Sequence, residues 1–126
     1  MTLTTIAIMV ALIQFIYFGI EVGRARGRFG VQAPAVSGHP EFDRYFRVHM
    51  NTLEQLIVII PSAIAFATTV GDLWAAIAVA VYIIGRIIYF TSYVKDPASR
   101  SVGFMVSAVP GMVMVIGSII GALLAM

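Results

Sequence analysis

No cysteine occurs in the 126 residues, which excludes a disulfide scaffold and any thiolate metal site. His39 and His49 are the only histidines and lack ligand-like spacing, so no metal is expected. Charge is equally scarce. Only 11% of residues are Asp, Glu, Lys or Arg, where a soluble domain carries about 25%. Hydrophobic residues make up 60% of the chain, and the mean hydropathy is +0.98. A soluble globular domain is excluded. Internal repeats, low-complexity tracts and phosphate-cradling glycine loops are also missing. The opening Met1-Thr2-Leu3-Thr4-Thr5 has neither the basic region nor the cleavage site of a secretory signal, so the first apolar stretch is expected to remain a membrane helix.

What is present is apolar length. Four windows, 3–20, 53–70, 73–93 and 102–126, each supply the roughly 20 residues that a membrane helix needs. The expected fold is all-α: an integral membrane four-helix bundle forming a single domain over residues 1–126. Such a bundle is too small for a large internal cavity, so a sizeable ligand pocket is expected between subunits. All the basic residues (Arg24, Arg26, Arg28, Arg44, Arg47, Arg86, Lys95, Arg100) lie in or beside the first and third connections. The second connection, 69–72, has one acid and no base. By the positive-inside rule the first and third connections face the cytoplasm and both termini face away. Anionic lipid headgroups or an anionic cytosolic substrate would each account for that basic face.

Within this frame, Arg44, Arg47, Asn51 and Glu54 fall within roughly 80° of one another on a helix. Ionisable groups near bilayer depth are costly and usually face a protein interior or a wet cavity. The bland alternative is a helix end whose arginines snorkel to headgroups, but Asn51 and Glu54 lie deeper and snorkel poorly. Glu41, Phe42 and Asp43 open this second helix, and Pro61 is expected to kink or unwind it. On the third helix Arg86, Tyr89, Phe90 and Tyr93 recur at three- and four-residue spacing, presenting an arginine and two phenols; an interfacial aromatic belt is the alternative. Before the fourth helix, Asp96 is expected as N-cap with Pro97 in the first helical position, placing Arg100 in the first turn. Free N–H groups there already favour anions, so a cation in that turn calls for something negative nearby. Gly19-x-x-x-Gly23 and Gly117-x-x-x-Gly121 are small-residue spacings expected to serve helix packing.

Arg47-x-His49-x-Asn51-x-x-Glu54, preceded by Pro40-Glu41-Phe42-Asp43-Arg44, resembles the second-helix signature of the membrane-associated proteins in eicosanoid and glutathione metabolism, the MAPEG superfamily. Gly85-Arg86-Ile87-Ile88-Tyr89-Phe90-x-x-Tyr93 is similar to that family's third helix, and Arg100-Ser101 to the arginine-bearing turn before its fourth. The resemblance covers nearly the whole chain. It implies a homotrimer with glutathione between neighbouring subunits near the cytosolic face, and a hydrophobic electrophile entering from membrane lipid. Carried over residue by residue, it implies that Arg26, Arg47, His49, Asn51, Glu54, Tyr89 and Tyr93 contact glutathione, with Arg86 as an accompanying member. It assigns thiol activation to Arg100, with Ser101 as an alternative hydroxyl donor to sulfur. There are departures: Pro61 comes seven residues after Glu54, where the family often has a proline three or four after; Gly27 stands where one branch of the family has a second arginine, and His49 replaces that branch's glutamine, as in another branch.

The expected function is therefore a membrane-bound glutathione-dependent transferase, with lipid-peroxide reduction as a possible further activity. A non-catalytic lipid-binding or scaffold role within the same superfamily is one alternative. A small proton-coupled drug exporter using Glu21 is another, disfavoured because Glu21 lies near the cytosolic edge and the arginines gather on one face. No nucleic-acid partner is expected. The loop-poor form fits a bacterial inner membrane.

Overall fold

The computed structural model describes residues 1–126. It contains four helices and no strand: α1 (Thr2–Phe29), α2 (Pro40–Thr69), α3 (Asp72–Lys95) and α4 (Ser101–Leu124), with a single 3₁₀ turn, Pro97–Ser99, before α4. Each helix is long and apolar enough to cross a membrane. Helices α2 and α3 are central; α1 and α4 each pack on both of them.

α1 outruns the expected window. Its 28 residues make a rod of about 42 Å, roughly 12 Å more than the hydrocarbon layer. The surplus turns carry Arg24, Arg26 and Arg28, and arginine is a good helix former once outside the apolar layer. The helix stops at Gly30, whose φ of 70° is the left-handed C-cap conformation that glycine adopts without strain. The first connection is therefore the short stretch 30–39. It is pinned down: Arg26 Nη1 donates to the Ala35 carbonyl at 2.6 Å, and Asp43 accepts from Ser37 Oγ at 3.0 Å and Gly38 N at 3.2 Å. Val31 tucks into a small core with Val22, Ala25 and Phe42.

Three local expectations are corrected. α2 stays helical through Pro61 from its N-cap, His39, whose Nδ1 accepts from Glu41 N, so of the kink or unwinding expected there the unwinding does not occur. Asp96 caps the 3₁₀ turn, accepting from Ala98 N at 3.1 Å, so Arg100 becomes the N-cap of α4 instead of a first-turn residue. Gly19 makes room for the His49 ring, while a Cβ on Gly23 would meet nothing within 4 Å, so that pair makes no close helix crossing within one chain. Gly117 and Gly121 do serve packing, against Phe66 and Thr69.

The tight crossing lies elsewhere. A Cβ on Gly85 would come within 2.5 Å of Ser107 N, and one on Gly103 would collide with the Tyr89 backbone. These two glycines let α3 and α4 approach backbone to backbone, in the manner of small-residue membrane contacts. At the far end Asp72 satisfies the first turn of α1, accepting from Leu3 N, Thr4 N and Thr4 Oγ1 at 3.0, 2.9 and 2.6 Å. Arg44 Nη1 donates to the Val94 and Lys95 carbonyls at the C-terminal end of α3, which brings the basic connections together at one end of the bundle.

Candidate functional site

At that basic end, Arg47, Asn51, Tyr89, Tyr93, Arg100 and Phe104 line a recess of about 350 Å³ between α2, α3 and α4. Arg47 and Asn51 are one turn apart on α2, as are Tyr89 and Tyr93 on α3, where the two rings stack at 5.4 Å. The Gly103–Tyr89 approach is what holds the start of α4 against them. Arg100 Nη1 donates to the Pro97 carbonyl at 2.9 Å, leaving the rest of its guanidinium free over the recess. Glu54 stands on the rim, 3.9 Å from Arg47 Nη2 and accepting from Asn51 Nδ2 at 3.4 Å. The larger recesses on the molecule are apolar, such as the groove of about 470 Å³ along α3 and α4 lined by Val81, Met105 and Val109.

Arg86 sits beneath this recess and does not line it. Its side chain is fully buried, donating from Nη1 to Asn51 Oδ1 at 2.8 Å and Thr52 Oγ1 at 3.3 Å, and from Nη2 to Ser107 Oγ at 2.6 Å. The guanidinium lies 4.3 Å from the centre of the Tyr89 ring. Its Nε has no partner, and no carboxylate pairs with it. Polar contacts thus run from Glu54 through Asn51 and Arg86 to Ser107, joining α2, α3 and α4.

Not every sequence-derived site residue reaches the recess. His49 points the other way from α2, its ring stacked on Phe15 of α1 at 4.5 Å. Arg26 lies over the Phe42 ring at 4.9 Å and is held by the Ala35 carbonyl. Both are on the α1 side of α2, opposite Asn51. Ser101 is exposed at the first residue of α4 and does not line the recess, whereas its neighbour Arg100 does. Glu21 forms an ion pair with Arg24 at 2.8 Å. Phe104, Thr52 and Ser107 were not anticipated. Only the position of Phe104 one turn after Arg100 could have signalled it.

These features define a class: a four-helix membrane protein with a cation-lined recess at one end of its bundle. The MAPEG family profile matches residues 3–120, and the chain belongs to that family. It is 39% identical over 119 residues to an uncharacterized protein of Synechocystis sp., covering 93% of this chain and 87% of that one. It is 36% identical over 91 residues to microsomal glutathione S-transferase 2 of Homo sapiens, covering 72% of this chain but 62% of the human protein. Against leukotriene C4 synthase of Rattus norvegicus the identity is 31% over 98 residues, covering 78% and 65%. The match thus spans less than two thirds of the length of either mammalian relative.

Proposed function

We propose that this protein is a membrane-embedded glutathione-dependent transferase that ionises the glutathione thiol for attack on a hydrophobic electrophile. The observation that carries this reading is the convergence of Arg47, Asn51, Tyr89, Tyr93 and Arg100 on one recess with Glu54 at its rim. Glutathione has two carboxylates, one ammonium and one thiol. Guanidinium groups suit the carboxylates because they pair bidentately, and Glu54 suits the ammonium. The name of one relative, a glutathione S-transferase, supports the same substrate.

Arg26 and His49 lie on the opposite side of α2 from the recess, so they reach the same peptide only from a neighbouring copy. The reading therefore includes a homotrimer, as the family resemblance implies, with each site shared between two chains and facing the cytoplasm.

An ordinary thiol is only a few per cent ionised at neutral pH. Arg100, beside the free N–H groups that begin α4, favours thiolate because a nearby cation and oriented donors both stabilise the anion. Lowering the thiol pKa by about two units takes about 2.7 kcal/mol of differential stabilisation. The thiol proton leaves to water, the sulfur lone pair forms a bond to the electrophilic carbon, and the electron pair of the broken bond departs with the leaving group or ring oxygen. Ser101, exposed and outside the recess, is the weaker candidate for this work.

Conjugation of glutathione to a generic lipophilic electrophile tests the reading. Arg100→Ala is expected to lower turnover at least tenfold, on the order of 1.4 kcal/mol in the barrier, while glutathione binding survives. Unchanged turnover removes Arg100 from the mechanism, and wild-type protein that binds no glutathione refutes the function.

A further inference from the structure

We infer that Arg86 is a positioning residue for this chemistry, acting as a charged floor that stabilises the ionised thiol from beneath the recess without touching it. The inference rests on the glutathione reading above.

The reason lies in what surrounds the guanidinium. Its acceptors, Asn51 Oδ1, Thr52 Oγ1 and Ser107 Oγ, are all neutral, and its Nε bonds to nothing. Arginine stays protonated in proteins, and burying a cation within a membrane bundle without a counter-ion is expensive. A neutral glutamine would donate to some of these acceptors without burying a charge. A charge kept there at such expense acts on what lies next to it, and the recess is one side-chain layer away, across Asn51 and Tyr89.

The charge balance of the recess agrees. Arg47 and Arg100 line it with Arg86 beneath, against Glu54 alone, an excess of two positive charges within one chain, to which a neighbouring copy's Arg26 adds in the proposed trimer. The other titratable groups against Arg86 are the phenols of Tyr82 and Tyr89 on α3, with Tyr93 stacked on Tyr89. The acid on the neighbouring part of α1, Glu21, is taken up by Arg24. Glutathione with a neutral thiol carries one net negative charge, and with a thiolate it carries two. That positive excess favours the ionised form. At an effective dielectric of about 20, a unit charge on the order of 8 Å away shifts an ionisation by about 1.5 units.

The test reads the ultraviolet absorbance of the bound thiolate as a function of pH, with the purified full-length protein and saturating glutathione. Arg86→Gln is expected to raise the midpoint by one to two units, about a ten- to hundredfold loss of thiolate below it. Arg86→Lys, which keeps the charge, is expected to restore most of the shift. S-Methylglutathione, which has no thiol to ionise, is expected to bind Arg86→Gln within about threefold of wild type, a difference of roughly 0.7 kcal/mol. Arg86→Met, uncharged and of similar length, keeps the inference testable should Arg86→Gln fail to assemble, and its midpoint is expected to rise likewise. An unchanged midpoint in folded Arg86→Gln or Arg86→Met overturns this inference and leaves the transferase reading standing. Wild-type protein that binds no glutathione overturns both.

Discussion

Glu54 keeps its carboxylate accessible at the rim of the recess, tied loosely to Arg47 and Asn51 across 3.9 and 3.4 Å. An exposed pair of this kind contributes little to stability, so the residue is available for a ligand's ammonium. Glu54→Gln should leave the fold intact and weaken glutathione binding about tenfold, roughly 1.4 kcal/mol; a calorimetric titration that finds wild-type affinity contradicts the role. The convergence of Arg47, Asn51 and Glu54 was legible in the sequence, because helical spacing alone puts them on one face. The depth of Arg86 was not. Its spacing to Tyr89 suggested a shared face, but burial depends on Thr52 and Ser107, which arrive from two other helices. His49 shows the opposite limit: two residues from Asn51 on a helix is nearly half a turn away, so one copy cannot bring both to a single ligand.

Among the elements, the four spans were legible because an uninterrupted apolar run of that length has few other fates. Their ends were less so. Hydropathy falls where the membrane stops, whereas the α1 hydrogen bonds continue through Arg24, Arg26 and Arg28 to the left-handed Gly30. The glycine spacing also misdirected attention. Gly19 and Gly23 have the regular four-residue interval, yet the close contact is built by Gly85 and Gly103 on different helices, a pairing that no single-helix pattern reveals. That contact places Arg100 beside Tyr89 and Tyr93. Gly103→Ala forces a methyl group into the Tyr89 backbone, which should cost about 1–3 kcal/mol by overpacking. Thermal unfolding in detergent should show a lower midpoint, and conjugation should slow as α4 is pushed from α3. A variant with wild-type midpoint and rate would mean that the crossing positions nothing.

Over the whole molecule, only 28 of 126 residues are buried, and large side chains such as Ile13, Ile57, Ile116 and Leu123 are more than half exposed. A single copy in water could not tolerate that surface; lipid covers part of it, and further copies cover part in the proposed assembly. The proposed trimer would give meaning to the division of basic residues between the two sides of α2. Arg47 and Arg100 open toward the recess, while Arg26 and His49 sit where a neighbouring chain's recess could meet them. Nothing in the hydropathy pattern announces such sharing, because it follows from how copies pack and not from how one chain folds. A structure of the protein with glutathione, solved in lipid or detergent, tests this most directly. The account predicts three chains, each peptide lying between the Arg47–Arg100 recess of one copy and Arg26 of the next with its sulfur turned to Arg100; monomers, or glutathione bound away from those guanidinium groups, would contradict it.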